Sequence, residues 1–310
     1  MVLPGLFIRI KRKKQYMQIG FIINNISNIY QVKVENKIYE CNVRGKIKQE
    51  NISPVVGDYV EIEILEEEKQ KAIINSILKR KVYIKRPKLA NLTQIIFVLS
   101  LKSPKPDLLL LDKQLVYAEF LKIKPVICIN KIDLNTNNLL KEIVNQYRKI
   151  GYTVIETNAK QNIGIDKIKQ ELKGNITAFS GNSGVGKSTL INSLFNKSIT
   201  QEGMISNKIK RGKNTTTNVT LYEIEKNAYI ADTPGFSTFD IEEIESKNLA
   251  NYFIEFKQYI KNCEYVGCGH IKEQSCGIKN ALEDKKISKD RYERYCKIYN
   301  DLKEREENKW

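Results

Sequence analysis

The stretch GNSGVGKST, residues 181–189, decides the fold of this 310-residue chain. Its Gly181, Gly186, Lys187 and Ser188 match the pattern G-x4-G-K-[ST], which binds phosphate when it joins a strand to a helix. An apolar run, ITAFS, ends just before it, and a helical pattern, KSTLINSLF, begins just after it. Glycines let backbone N–H groups wrap around phosphate oxygens, and the helix N-terminus adds its positive pole. The stretch therefore predicts a phosphate loop in an α/β domain; the alternative is a tight turn with an exposed lysine.

The segment DTPG, residues 232–235, predicts the metal side of the same site because it follows the strand-like run AYIA. Asp232 at the end of a neighbouring strand could reach a Mg²⁺ ion held by the Ser188 hydroxyl, and the Gly235 N–H could bind the terminal phosphate. Between the two motifs lies the polar loop RGKNTTT, residues 211–217. We expect Thr216 from this loop to complete the metal ligands and Lys187 to neutralise the β- and γ-phosphates.

The tetrapeptide NKID, residues 130–133, predicts recognition of guanine. The carboxylate of Asp133 can accept two hydrogen bonds, and the edge of guanine offers two adjacent donors where adenine offers only one. The stem of Lys131 can lie along the base, and the Asn130 amide can tie this loop to the phosphate loop. A second base-contacting loop would come from residues 157–160, with Asn158 where a small serine is more usual.

These motifs occur in an unusual order, since the base motif precedes the phosphate loop by fifty-one residues. The usual order is phosphate loop, switch I, switch II, NKxD and then the Ala-Lys loop. Here the same cyclic order starts at NKxD, so the sequence predicts a circularly permuted GTPase domain with an intact site. The predicted nucleotide-binding residues are Asn130, Lys131, Asp133, Asn158, Ala159, Lys160, Gly181, Asn182, Ser183, Gly184, Val185, Gly186, Lys187, Ser188 and Thr189.

The rest of the chain divides into two further territories. Residues 1–85 contain five short β-branched and aromatic runs separated by turn residues, which suits an OB-type barrel that binds RNA; the alternative is an all-β packing domain. Residues 86–245 alternate apolar strands with helical segments, as a parallel sheet wrapped by helices does. Residues 246–310 are mostly helical in pattern, including charged amphipathic runs at 240–260 and 287–307.

Three of the six cysteines lie close together in the C-terminal territory, beside the only histidine. Cys263, Cys268, His270 and Cys276 offer three thiolates and one imidazole, a full set of ligands for a structural Zn²⁺ with no open position. Unliganded thiols are the alternative. Cys41 and Cys128 lie in apolar runs and are predicted core residues.

The formal charge of +16 favours a polyanionic partner, and the N-terminal territory is the most basic for its length. RNA or a ribosome is the natural candidate, although a general composition bias would raise lysine content too. The apolar runs are far shorter than the roughly 20 residues that cross a bilayer. We therefore expect a soluble, cytosolic, monomeric protein that does not associate with membranes.

Taken together, the basic barrel, the permuted motifs and the C-x4-C-x-H-x5-C tail resemble the ribosome small subunit-dependent GTPase A family, the circularly permuted ribosome-biogenesis GTPases. RGK at 44–46, VGDYV at 56–60, RGKNTTT and DTPG also look like family elements in family order. The resemblance implies GTP hydrolysis with Mg²⁺, binding to the small ribosomal subunit and its rRNA, stimulation by that subunit, and release after hydrolysis.

Two positions qualify the resemblance. Phe236 follows DTPG where many GTPases place a water-orienting glutamine, and Asn214 stands where the family usually has a histidine. If that histidine positions water in relatives, Asn214 does so here with its amide, or ribosomal RNA helps. Lys187, Thr216 and Gly235 are the other predicted catalytic residues. Two rival functions remain open: a GTPase for another RNA or translation partner, and an RNA-binding zinc protein whose nucleotide only stabilises the fold.

Overall fold

The N-terminal strands close into a five-stranded barrel in the computed structural model, which describes residues 17–45, 52–135, 138–196, 219–232, 241 and 243–308. The pairing order is β1-β2-β3-β5-β4 and back to β1, and within this barrel β3 and β5 are the parallel pair. This is the OB-type topology predicted from the sequence. The strands are β1 Met17–Ile26, β2 Ile29–Val34, β3 Lys37–Val43, β4 Tyr59–Glu66 and β5 Lys71–Ile77.

Beyond the barrel, the chain forms a mainly parallel sheet with helices on both faces. Its order is β10-β9-β8-β11-β13-β12, and β12 is antiparallel to β13. Helices α1 and α2 pack on one face, while α3 and α4 pack on the other. A short β-hairpin of β6 Tyr83–Ile84 and β7 Leu89–Ala90 leads into it. The elements are β8 Gln94–Ser100, α1 Leu108–Leu121, β9 Lys124–Asn130, α2 Leu139–Ile150, β10 Thr153–Glu156, α3 Ile165–Leu172, β11 Ile176–Ser180, α4 Lys187–Asn196, β12 Thr220–Glu225 and β13 Ala228–Asp232.

Strand β11, which precedes the phosphate loop, lies at the centre of this sheet and is the fourth of its strands along the chain. β11 pairs in parallel with β8 and with β13. All five of its residues are buried, as expected for a strand covered on both faces. The loops that follow β8, β9, β10, β11 and β13 therefore open at one edge, where α/β sheets of this type bind ligands.

The barrel and the sheet are joined through β1 and β12. Asn24 pairs with Thr220 in an antiparallel bridge, and the Thr220 hydroxyl donates to the Asn24 side-chain oxygen at 3.3 Å. The Phe21 and Tyr229 rings lie 5.1 Å apart across the same junction. At Gly57, where φ is +88°, a Cβ would lie 2.1 Å from the Ala90 carbonyl oxygen, so only glycine allows the barrel this close.

The C-terminal region corrects one expectation. The helical pattern predicted at 240–260 forms two 3₁₀ segments, Ser246–Tyr252 and Ile254–Phe256, before a short helix, α5 Lys257–Ile260. A 3₁₀ turn repeats every three residues, and Ala250, Phe253 and Phe256 are all buried at that spacing. The tertiary packing of these residues thus overrides the α-helical pattern. Helices α6 Gly277–Glu283 and α7 Lys289–Glu307 follow, and α7 confirms the helix predicted at the C-terminal end.

A buried ionic cluster fastens α7 to α1. Arg291, which is fully buried, forms ion pairs with Asp112 of α1 and with Glu255, the latter at 2.7 Å. Arg294 also contacts Asp112, and the Tyr147 hydroxyl donates to the same carboxylate at 2.6 Å. Burial by itself would lower the pKa of the Arg291 guanidinium, but the two carboxylates raise it well above its usual value. The C-terminal region is therefore held on the parallel sheet by an ionic cluster whose centre, Arg291 and Asp112, is fully buried.

Among the helices of the described ranges, none has both the length and the apolar character that crossing a bilayer requires.

Candidate nucleotide site and metal centre

The phosphate loop joins β11 to α4, and its glycines stand where neighbouring backbone approaches most closely. Gly181 has φ of +145°, and a Cβ there would lie 2.2 Å from the Val98 carbonyl oxygen of β8. Gly186 has φ of +97°, and a Cβ would lie 2.4 Å from the Asn130 side-chain nitrogen. Any other residue at either position would push the loop away from its neighbours.

Lys187 lies across the mouth of this loop. Its Nζ donates to the carbonyl oxygens of Gly181 at 2.6 Å and Asn182 at 2.9 Å. Partial burial lowers the pKa of the ammonium, so two carbonyls hold a charge that water solvates incompletely. The side chains of Ser188 and Thr189 are exposed at the N-terminus of α4. The loop thus presents a cation, backbone N–H groups and hydroxyls to the same space.

Asn130 connects the three loops that follow β9, β10 and β11. Its Nδ2 donates to the Val185 carbonyl at 3.0 Å, and its Oδ1 accepts from the Ala159 N–H at 3.1 Å. The Thr157 hydroxyl donates to the same oxygen at 3.2 Å. One buried amide therefore fixes the base motif, the Ala-Lys loop and the phosphate loop relative to each other.

Lys131 reaches a loop that the sequence analysis did not single out. Its Nζ donates to the Ser103 carbonyl at 2.5 Å and to the Gly184 carbonyl at 2.6 Å. Ser103 belongs to residues 101–107, which join β8 to α1 at the same edge of the sheet. Because this loop follows a central strand, its place at the ligand edge could have been predicted. None of its residue types is typical of a ligand site.

Asp133 and Asn158 form a direct side-chain contact. The Asn158 Nδ2 donates to Asp133 Oδ1 at 2.9 Å and also to the Gln161 side-chain oxygen at 2.9 Å. Asp133 is exposed, while Asn158 is nearly buried and Lys160 lies exposed beside Ala159. One carboxylate oxygen is therefore held from behind, and the carboxylate keeps acceptor capacity for a ligand.

The expected Mg²⁺ ligands are only partly described. Ser188 lies in the first turn of α4 and Asp232 ends β13, the parallel neighbour of β11, so both stand at the ligand edge of the sheet. Desolvation raises the pKa of the Asp232 carboxyl, and a nearby divalent cation would favour its ionised form. Hydroxyl and carboxylate oxygens are ligand types that fit Mg²⁺. Asn214, Thr216 and Gly235 lie outside the described residues.

The four predicted zinc ligands come together in the C-terminal region. One ligand atom from each of Cys263, Cys268, His270 and Cys276 lies within 4.8 Å of the others. His270 Nδ1 is 3.5 Å from the Cys263 sulfur and 3.4 Å from the Cys276 sulfur. Tetrahedral Zn²⁺ with ordinary bond lengths separates a nitrogen and a sulfur ligand by about 3.5 Å, so the donor set fits this metal.

The zinc cluster is supported by α7 and by Glu273. The Tyr292 and Tyr295 hydroxyls of α7 donate to the carbonyls of His270 at 2.6 Å and Gly269 at 3.0 Å. Burial alone would raise the pKa of the Glu273 carboxyl, but hydrogen bonds from the Gly269, Ile271 and Lys272 N–H groups lower it. These contacts hold the backbone that carries two of the four predicted ligands, His270 and Cys268.

Comparison with known proteins places the chain in a family. The family model RsgA N-terminal domain matches residues 19–74, and the family model RsgA GTPase matches residues 77–242. The small ribosomal subunit biogenesis GTPase RsgA of Ruminiclostridium cellulolyticum is 42% identical over 290 residues, which cover 93% of this chain and 95% of that protein. The chain belongs to the RsgA GTPase family. Its activity is accordingly hydrolysis of GTP, and a relative of the same name from Clostridium botulinum is 43% identical over 94% of this chain and 99% of that protein.

Two solved structures share the architecture of this chain. YjeQ from Thermotoga maritima superposes with a TM-score of 0.80 at 33% identity, covering 93% of this chain and 99% of that one. YloQ, described as a circularly permuted GTPase, gives 0.80 at 30% identity over 94% and 96%. The order of motifs in the sequence is thus a property of the fold that these proteins have in common.

Within this family fold, the structure places the loops that carry the predicted nucleotide-binding residues next to one another. The phosphate loop, NKID and residues 158–160 meet at one edge of the sheet through the contacts given above. Sequence reasoning placed Thr157 in the loop 157–160 without giving it a role, and it missed Gln161 and Ser193; the Ser193 hydroxyl donates to the Ala159 carbonyl at 3.0 Å. These residues hold the loops in place and do not face a ligand, so no nucleotide-binding motif predicts their roles.

Proposed function

We propose that this GTPase binds the small ribosomal subunit and assists its late maturation, that the subunit stimulates hydrolysis, and that hydrolysis releases the protein. The observation that carries the proposal is the joining of the base loop to the phosphate loop by Asn130, at 3.0 Å from Val185, in the permuted order. The names of the relatives, small ribosomal subunit biogenesis GTPases, supply the partner.

In this proposal the residues of the site have distinct roles. Asp133 selects guanine, and the loop N–H groups take the phosphates together with Lys187, whose ammonium keeps a third N–H beyond the two that donate to loop carbonyls. A bound Mg²⁺, held by Ser188, Thr216 and Asp232, supplies further positive charge to the phosphate oxygens. Asn214 orients the attacking water and the Gly235 N–H meets the terminal phosphate. The fifteen nucleotide-binding residues named from the sequence line the rest of the site.

The zinc centre is proposed to be structural and to leave catalysis without a histidine base. His270, the only histidine of the chain, lies within 3.5 Å of two cysteine sulfurs. Phosphoryl transfer depends mainly on positioning and charge, so it does not require an imidazole. Slow intrinsic hydrolysis and strong stimulation by the subunit are the expected result.

We propose the domain limits 1–85, 86–245 and 246–310, with the barrel binding rRNA and the protein acting as a cytosolic monomer. The closed barrel ends at Ile77, and buried side chains around Phe253 and Tyr295 form a core within the third range, which Ile241 and Ile244 also join from just before it. The basic charge supports an RNA partner.

The test is GTP hydrolysis titrated with isolated small subunits, beside large subunits and a Lys187→Ala control. We expect slow hydrolysis alone, a large increase that saturates with small subunits, no increase with large subunits, and little activity in the variant. Equal rates with and without small subunits would contradict the proposal. GTP that stays bound and uncleaved in a single-turnover assay would instead favour a structural nucleotide.

A further inference from the structure

A short basic ribbon, residues 79–88, leads from the barrel to the sheet. It contains β6 and the turn to β7, and its sequence KRKVYIKRPK carries six basic residues and no acidic one. Ile84 anchors it, being 1% exposed, whereas the basic side chains point away from this anchor into solvent or toward carboxylates. The ribbon is therefore fixed in place, and its charge is carried on an ordered backbone.

Two of the six basic residues have acidic partners. Arg80 forms a two-point contact with the buried Asp58, at 2.7 Å from Nε and 2.8 Å from its terminal nitrogen. Lys85 pairs with Glu243 at 2.5 Å. The other four are exposed, and within the described ranges none of them forms an ion pair: Lys79, Lys81, Arg86 and Lys88.

An aromatic side chain lies among these charges. Tyr83 is 37% exposed, and the Arg80 guanidinium carbon is 4.7 Å from its ring centroid. Arg80 is also held by the Ser53 carbonyl at 2.8 Å, so this cation and ring are fixed together before any partner arrives. Side chains that are already ordered lose little entropy on binding.

We propose that the basic ribbon binds the phosphodiester backbone of small-subunit rRNA, with the Tyr83 ring against an adjacent ribose or base. This inference rests on the proposed function for its partner and adds the place of contact. Exposed lysine and arginine donors take phosphate oxygens, and an exposed aromatic ring next to them suits a nucleic acid, which offers flat bases beside its charges. An acidic protein surface offers the charge alone.

The test compares two quadruple variants that lose the same charge. Lys79→Gln, Lys81→Gln, Arg86→Gln and Lys88→Gln remove the free cations of the ribbon. The control changes four lysines elsewhere that have carboxylate partners within 4 Å: Lys124, Lys247, Lys286 and Lys289, each to Gln. Dissociation constants are measured for small subunits and for protein-free small-subunit rRNA between 50 and 200 mM KCl at constant Mg²⁺.

Each phosphate contact contributes about 0.7 to 0.9 to the slope of log affinity against log salt. Four lost contacts therefore mean that the fourfold rise in salt weakens the wild-type complex roughly 50- to 150-fold more than the ribbon-variant complex. We expect this loss of slope with both RNA and subunits, a much smaller loss in the control variant, and unchanged hydrolysis without subunits.

Equal salt slopes for the ribbon variant and the wild type would overturn the inference. So would an equal loss in the two variants, because net charge alone would then explain it. A ribbon variant weakened on subunits but not on protein-free rRNA would assign the ribbon to a ribosomal protein instead. Failure of the wild type to bind subunits would refute the proposed function, while the rRNA measurements would still decide the role of the ribbon.

Discussion

Asn130 is the residue on which the geometry of the nucleotide site depends. Its amide donates to Val185 of the phosphate loop and accepts from Ala159, so it uses both ends of one buried side chain. The motif NKID predicts the first contact, since an amide in this position can reach the phosphate loop. The second contact depends on where β10 lies beside β9, which the sequence does not state.

At Asp133 the hydrogen bond from Asn158 makes the outcome of a substitution definite. In Asp133→Asn, the new side-chain oxygen keeps the bond from Asn158, and the new NH₂ group faces the base. Guanine then meets a donor where it needs an acceptor, whereas xanthine offers an acceptor there. We expect GDP affinity to fall by about 100-fold or more and XDP to bind better than GDP, as measured by nucleotide titration.

The companion variant Asn158→Ala separates orientation from recognition. It leaves the Asp133 carboxylate present but frees it, so a modest loss of GDP affinity, about tenfold or less, is expected without a change of base preference. If Asp133→Asn bound GDP as tightly as the wild type, Asp133 would not contact the base.

Among the elements, α1 carries the contact between the nucleotide-binding sheet and the C-terminal region. Asp112 on α1 is fully buried and accepts from Arg291, Arg294 and Tyr147, while the next residue, Lys113, pairs with Asp301 of α7 at the surface. The two neighbouring positions therefore offer a buried and an exposed ion pair between the same helices.

Removing the buried carboxylate charge should cost far more stability than removing the exposed ammonium. Asp112→Asn leaves two guanidinium groups with fewer buried partners, and we expect the free energy of unfolding to fall by about 3–5 kcal/mol. Lys113→Gln should lower it by about 1 kcal/mol or less, because water screens that pair. Urea denaturation monitored by circular dichroism gives both values; equal losses would mean that the cluster does not hold α7.

The zinc centre gives a prediction with a control on the neighbouring helix. Cys276→Ser removes one ligand, so the purified protein should contain well under one zinc per chain and its C-terminal region should become sensitive to protease. Cys296 of α7 is a partly buried free thiol outside the ligand set, and Cys296→Ser should retain one zinc. Metal analysis of both variants is the measurement; full zinc in Cys276→Ser would exclude it as a ligand.

At the scale of elements, the sequence predicted the strands and helices better than the contacts between them. The five barrel strands, the parallel strands and α7 follow from alternation and apolar runs, and the zinc ligands follow from spacing around a single histidine. The Asp112–Arg291 cluster could not be predicted, because charged residues in a helix are usually solvated and nothing local shows their burial. The 3₁₀ segments around Phe253 were not predicted either, because tertiary packing, which the local sequence does not show, fixed their three-residue period.

Across the whole molecule, the segment after β13 connects the nucleotide site to the C-terminal region. β13 ends at Asp232, and Ile241 and Ile244 are already buried in the C-terminal core beside Val116 of α1. The chain is thus anchored on both sides of residues 233–240, which include Gly235, the predicted contact of the terminal phosphate. A change at the terminal phosphate has a short covalent path to the C-terminal region.

We therefore expect amide exchange in residues 246–308 to be about fivefold slower or more with a GTP analogue than with GDP. The Lys187→Ala variant should show no such difference, because it lacks the phosphate contact that separates the two states. Hydrogen exchange followed by mass spectrometry measures both proteins. Identical exchange in the wild type with the two nucleotides would refute this coupling.

The bridge between Asn24 and Thr220 has a mechanical consequence. β12 begins only three residues after the polar loop 211–217, and its first residue is hydrogen-bonded to a barrel strand. A force or tilt applied to the barrel is therefore transmitted to β12. It shifts the position in the chain where the loop 211–217 ends. A partner that binds the barrel therefore acts on the chain segment next to the nucleotide site through the pairing of β1 with β12.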